Sequence, residues 1–139
     1  MTRNTTAQGD VSELEVIIAL TRSGRRLLRP LSAASRYDIA IDRGDGTLER
    51  VQCKTGRLRN GRVVFRVCST DGRRRNGTPY HGEVDAFGVY CPETRMVYLV
   101  PMTAIAGCRT MSALRVDAPR NKQGKRIRLA SDFAITVGA

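Results

Sequence analysis

Between Tyr37 and Pro101 the chain is cut by turn residues into five apolar stretches, each of strand length. They are residues 37–42, Leu48–Thr55, residues 63–69, Ala86–Cys91 and Met96–Pro101. Asp45-Gly46 and Asn60-Gly61 are the residue pairs that favour tight hairpin turns, and residues 92–95 form a third short connection. Strands joined so briefly pair with their neighbours, which predicts a mainly antiparallel sheet. Residues 10–23 read as an amphipathic helix, with Val11, Leu14, Ile17, Ile18 and Thr21 at helical spacing. Asp10 or Ser12 can cap it and Gly24 can stop it. Residues 103–111 predict a second, short helix. The order is helix, β-meander, hairpin: an α+β fold with one mainly antiparallel sheet. At 139 residues the chain suits a single domain spanning 1–139, with 1–8 a flexible tail and about 112–139 a C-terminal extension.

The charge balance narrows the partner. Lysine and arginine number 24 against 13 carboxylates, for a net +11, and all but Lys54, Lys122 and Lys125 are arginine. A guanidinium stays ionised and its donor fork fits phosphate oxygens, so nucleic acid comes first and an anionic membrane surface second. A GC-rich genome would explain arginine over lysine, but not the excess over carboxylates. With 41% hydrophobic residues the chain can bury a core, which excludes a wholly disordered basic tail. No apolar run approaches the ~20 residues that cross a bilayer. Single-stranded RNA is disfavoured because aromatics are 5% and tryptophan is absent. Two basic segments are candidates for phosphate contacts: Arg73, Arg74 and Arg75 in the longest loop, and Lys122, Lys125 and Arg126, with Arg128, in residues 121–128. The alternative for both is a solvated charged surface.

Cys53, Cys68, Cys91 and Cys108 form no CxxC pair and His81 is the sole histidine, so neither a zinc ribbon nor a nuclease built on several histidines is expected. Cys53, Cys68 and Cys91 lie inside apolar runs and read as buried free thiols of a reducing compartment. The polar start, residues 1–8, carries no hydrophobic signal region, and a cytoplasmic protein is expected.

The chemistry concentrates in residues 37–42 and Val51-Gln52-Cys53-Lys54. Alternate strand residues share a face, so Gln52 and Lys54 project together while Val51 and Cys53 turn to the core. If the preceding strand runs antiparallel with Asp38 near its start, a carboxylate, an amide oxygen and an ammonium converge. Phosphodiester hydrolysis needs such a set: oxygen ligands for a hard cation and a lysine to orient water or offset charge. Each residue also has a plainer reading. Glu13 can close a capping box with Asp10; Asp38 can simply begin a strand; Lys54 can be an exposed strand cation. Asp42, Asp45 and Glu49 read as turn and surface charges, His81 as a loop residue, and Asp85 as a strand start.

Arg36-Tyr37-Asp38 followed by Val51-Gln52-Cys53-Lys54-Thr55 resembles the PD-(D/E)XK nuclease signature in its group I intron-associated, homing-type form, where glutamine also replaces the middle carboxylate. Gly9 and Glu13 match the GxxxE helix motif of those enzymes and of archaeal-type Holliday junction resolvases, and residues 83–94 with 97–101 are similar to the intron-associated family. The likeness covers about residues 8–102. It implies a restriction-endonuclease-like core, a mixed, mostly antiparallel sheet flanked by helices. It further implies a Mg²⁺-dependent endodeoxyribonuclease, with Mn²⁺ able to substitute. Asp38 is the implied main metal ligand, Glu13 reaches the site from the helix, Gln52 stands in for the second carboxylate, the Cys53 backbone carbonyl is a further ligand, and Lys54 is the catalytic lysine. Gln52 departs from most of the superfamily and removes one negative charge; Ser12 stands where Gly or Ala is usual.

The substrate expected is double-stranded or branched DNA, and the enzyme would sit on the nucleoid when bound. The alternatives are a junction resolvase or repair nuclease, and a DNA-binding module without catalysis. One small domain presents one active site, so cutting both strands calls for a homodimer or dimer of dimers.

Overall fold

The computed structural model describes residues 5–69, 78–79, 82–117 and 128–136. Helix α1 (Thr5–Arg22) leads into β1 (Arg26–Leu28), β2 (Ile39–Asp42), β3 (Leu48–Thr55), β4 (Arg57–Arg59), β5 (Arg62–Arg66), β6 (Cys68–Ser69), β7 (Thr78–Pro79), β8 (Ala86–Cys91), β9 (Met96–Pro101) and β10 (Met111–Arg115). The main sheet has the order β1-β2-β3-β8-β9, antiparallel except for the central β3–β8 pair. A second sheet has the order β10-β5-β4, and β6 pairs with β7. The α+β expectation holds, with a mixed and mostly antiparallel sheet.

Two apolar layers place these elements. Val16 and Leu20 of α1 pack with Ile39, Ile41, Val51, Ala86 and Val97 on one face of the main sheet. Phe87, Val89 and Cys91 face the other way, onto Val63 and Phe65 of β5 and Leu114 of β10. Strand β8 is thus covered on both faces, which is why it reads as a nearly continuous apolar run. Among the described residues one α-helix covers the sheet. The second sheet takes the place of the helices expected on the other face.

Several sequence expectations need correction. Helix α1 begins at Thr5, so residues 5–8 belong to it and Asp10 lies too far inside to cap it. Its end is as expected: Gly24 adopts φ +92°, and the N–H groups of Arg25 and Gly24 bond the Leu20 and Thr21 carbonyls at 3.2 and 3.0 Å. The buried face, however, is Ser12, Val16 and Leu20, while Val11, Leu14 and Ile18 are 47%, 56% and 43% exposed. Both faces of this helix are apolar, and packing chooses the one that fits Gly88. A Cβ on Gly88 would come within 2.6 Å of Val16 Cγ1, so only glycine admits the helix this close.

The meander also breaks. Asn60-Gly61 does turn a hairpin, with φ angles of 51° and 74°, but it joins β4 to β5 and not β3 to β5. Gly56 is the switch: its N–H bonds the Tyr90 carbonyl at 2.7 Å, and a Cβ there would lie 2.7 Å from Val63 Cγ1. The chain leaves the main sheet at that point, and β3 takes β8 as its parallel neighbour. The helix expected over residues 103–111 is a 3₁₀ turn, Met102–Ile105, ended before Gly107 at φ +95°. Residues 112–115, expected in a C-terminal extension, complete β10, and Leu114 is fully buried.

Candidate active site

The β2–β3 hairpin builds the site. Its turn is fixed by short polar side chains: Asp42 Oδ1 accepts the Gly44 N–H and Asp45 Oδ1 accepts the Thr47 N–H, both at 2.9 Å. The resulting register pairs Ile39 with Val51, so Asp38, one residue earlier, lies opposite Gln52. The Asp38 N–H bonds the Val51 carbonyl at 2.9 Å, and its Oδ2 accepts the Cys53 N–H at 2.8 Å. A strand residue's N–H and C=O leave on the same edge, so the Cys53 carbonyl opens toward Asp38 as well. Gln52 and Lys54 pair with Phe87 and Val89, which puts them on the sheet face away from α1.

The rotation of α1 that buries Val16 also brings Glu13 to this edge. Glu13, Arg29, Tyr37 and Asp38 line one cleft of about 320 Å³. Arg29 Nη2 donates to Glu13 Oε1 at 2.9 Å, a partner that a capping-box role for Glu13 does not supply. Burial and the neighbouring Asp38 charge push the Glu13 carboxyl up, with Arg29 opposing. Burial likewise raises Asp38, and the Cys53 N–H, Lys54 and Arg29 pull it back only in part. Two half-buried carboxylates thus crowd one cleft. The Cys53 thiol, raised by burial and then by these two charges, stays protonated.

Lys54 is not the exposed strand cation of the plainer reading. Its Nζ donates to the Cys68 carbonyl at 3.2 Å, and burial pulls the ammonium down to about 8, with Arg66 and Arg36 acting the same way and Asp38 against them. A lysine so poised changes protonation near neutral pH.

Sequence reasoning missed a clamp at the start of β3. Asp85 Oδ2 accepts the Arg50 backbone N–H at 2.8 Å and its Nε at 3.1 Å, Oδ1 accepts Nη2 at 3.2 Å, and the Asp85 N–H returns to the Arg50 carbonyl at 2.8 Å. This side-chain extension of the ladder fixes the β3–β8 register, and Arg50 holds the Asp85 carboxyl below its usual range. No local pattern signals a contact across 35 residues. Arg29 was missed for the same reason. Asp42 and Asp45 serve the turn, and Glu49 pairs with Arg43 at 3.5 Å, as expected. All four cysteines are free thiols, Cys68 and Cys91 buried. Arg73, Arg74, Arg75, His81, Lys122, Lys125 and Arg126 lie outside the described residues. Arg128 is not part of an open basic surface: its Nη2 turns inward to Ser112 Oγ at 3.4 Å and Cys108 Sγ at 3.6 Å.

A carboxylate facing an amide across an antiparallel hairpin, with a half-buried lysine two residues on, is the arrangement that the sequence resemblance implies. The chain belongs to the PD-(D/E)XK endonuclease family, whose model matches residues 3–136. No curated protein matches it. Among solved structures it is similar to the bacterial homing endonuclease I-Ssp6803I, with a TM-score of 0.73, 23% identity, and coverage of 95% of this chain and 89% of that one. At that identity the likeness establishes the fold.

Proposed function

We propose that this nuclease is a divalent-metal-dependent, homing-type endonuclease that hydrolyses double-stranded DNA. The observation that carries the reading is the Asp38–Gln52 juxtaposition beside the crowded Asp38–Glu13 pair. Like charges held together out of water call for a cation, and the donors are the hard oxygens that Mg²⁺ or Mn²⁺ prefers. Asp38 Oδ1, a Glu13 oxygen, the Cys53 carbonyl and the Gln52 amide oxygen would hold it. Among the described residues no three His, Cys, Asp or Glu side chains cluster, so neutral oxygens must complete the set. Mg²⁺, when bound, supplies Lewis-acid polarisation of the scissile phosphate. Asp38 is itself positioned by the Cys53 N–H, and Lys54 offsets charge developing on the phosphate or orients the attacking water.

Cutting both strands calls for two such sites, and we assign the outer face of α1 to a homodimer contact. Val11, Leu14 and Ile18 expose an apolar stripe there. The helix carries Asp10, Glu13 and Glu15 against Arg22 alone, so it is net negative in a chain at +11. Asp10 and Glu15 beside the stripe disfavour DNA there, and a two-fold contact would bury the stripe against its own copy. Sedimentation equilibrium should show a dimer that Leu14→Glu dissociates; a monomer for the unaltered chain contradicts this.

A linear duplex library and a four-way junction, each incubated with Mg²⁺, test the substrate. Sequence-selective double-strand cuts in the duplex support the homing-type reading. Cleavage confined to the junction would replace it with a resolvase.

A further inference from the structure

A second cavity, of about 350 Å³, is lined by Cys53, whose N–H bonds Asp38 of the carboxylate cleft. Its chemistry is the reverse of the first. Lys54, Arg66, Ser12 and Thr55 line it, and no carboxylate is among its described lining residues. We infer that this cavity seats a DNA backbone phosphate flanking the scissile one, with Arg66 as its main charged ligand and the Ser12–Thr55 pair as a neutral donor. The inference rests on the nuclease reading above.

The hydrogen bonds leave donors to spare. Among the described residues Arg66 makes no ion pair with a carboxylate; its Nη2 contacts Cys68 Sγ at 3.7 Å, and a thiol sulfur is a weak acceptor. Ser12 is 1% exposed, and its Oγ lies 2.6 Å from Thr55 Oγ1 and accepts from Gln8 Nε2 at 3.3 Å. Two hydroxyls carry two protons and their mutual bond uses one. Whichever donates, the other keeps a proton for an acceptor in the cavity. A guanidinium and a buried hydroxyl donor beside an open space match a tetrahedral oxyanion. Cys53 lines this cavity and its N–H bonds Asp38 of the first cleft, so one strand of DNA can place neighbouring phosphates at both, the scissile one beside Asp38. Arg66 then acts as a positioning residue, setting which phosphate meets the metal.

The test is a cycle between protein and DNA. After the cut of the unaltered protein has been mapped, duplexes are made with one neutral methylphosphonate at each phosphate near it. Affinity is measured by fluorescence anisotropy in EDTA for the unaltered protein, Arg66→Ala and Arg66→Lys. Arg66 is exposed at the end of β5, so both variants should fold. At one flanking position the methylphosphonate should weaken the unaltered protein about tenfold and Arg66→Ala no further. Arg66→Lys should regain part of the loss. On unmodified DNA, Arg66→Ala should flatten the log–log salt dependence by about 0.9, the contribution of one phosphate. Additive losses at every position, in a protein that does cut DNA, overturn the phosphate seat and leave the nuclease reading intact. A protein that neither binds nor cuts DNA overturns both. Inorganic phosphate is the remaining arm. If it competes through Arg66 while the methylphosphonates show no coupling, the cavity takes free anions only and the inference falls.

Discussion

Lys54→Met should make the protein more stable while abolishing cleavage. The ammonium titrates at about 8 against 10.5 for an ordinary lysine, because burial in the gap behind β3 strips its water. At 1.36 kcal/mol per pH unit this is a penalty of about 3 kcal/mol on the charged form below pH 8. Methionine keeps the stem and removes the charge, but leaves the Cys68 carbonyl without the Nζ donor, a loss of about 1 kcal/mol. The net gain at neutral pH is therefore about 2 kcal/mol, or about 7 °C in Tm for a domain of this size. The sign with pH follows. Between about 8 and 10.5 the unfolded chain binds the proton and the folded chain does not, so the unaltered protein gains stability as pH rises through that window. The advantage of Lys54→Met should accordingly shrink as pH rises above about 8 and reverse by pH 10.5, where only the lost hydrogen bond remains. Urea unfolding of both metal-free proteins at pH 7, 9 and 10.5 measures it. A variant less stable at pH 7, or a gap that does not change with pH, would show that the Lys54 ammonium carries no burial penalty.

Three other perturbations probe the same machinery. Gly88→Ala puts a methyl group 2.6 Å from Val16 Cγ1 and 3.2 Å from Val51 Cγ1; it should cost about 1–3 kcal/mol by denaturant unfolding and lower cleavage by displacing α1 with Glu13. Asp38→Asn keeps an oxygen for the Cys53 N–H but removes a charge whose carboxyl is raised by burial. Such a group loses stability as pH rises through its folded value, so the variant should be the more stable at pH 7, with the gap closing below pH 4 in metal-free unfolding. Gln52→Glu adds an anionic oxygen opposite Asp38 and should tighten Mg²⁺ in calorimetry of the free protein and shift the cleavage midpoint to lower Mg²⁺. An unmoved midpoint with unchanged affinity would remove Gln52 from the metal.

The local parts of this fold were legible and the long-range ones were not. Strands β3, β8 and β9 follow from their own apolar runs, and the Asp45-Gly46 turn sets the hairpin that brings Asp38 opposite Gln52. The exposed stripe of α1 was mistaken for its buried one because both faces of the helix are apolar. The choice depends on Gly88, some seventy positions away, and it is also what carries Glu13 to Asp38. The parallel β3–β8 pair and the Arg50–Asp85 clamp have no local signature, since strands joined by a long crossover leave no turn motif to read. The hydroxyl pair of Ser12 and Thr55 was invisible for the same reason: 43 residues separate its members.

Supercoiled plasmid tests whether Asp38 and Lys54 form a metal-dependent phosphodiesterase site. Purified protein, the same protein with EDTA, Asp38→Ala and Lys54→Met are each incubated with plasmid, and Mg²⁺ is added to all but the EDTA sample. The expected result is linear product from the unaltered protein with Mg²⁺ alone, and a loss of several orders of magnitude in rate in both variants, each still folded by circular dichroism. Linear product in EDTA, or full-rate cleavage by either folded variant, would contradict the assignment.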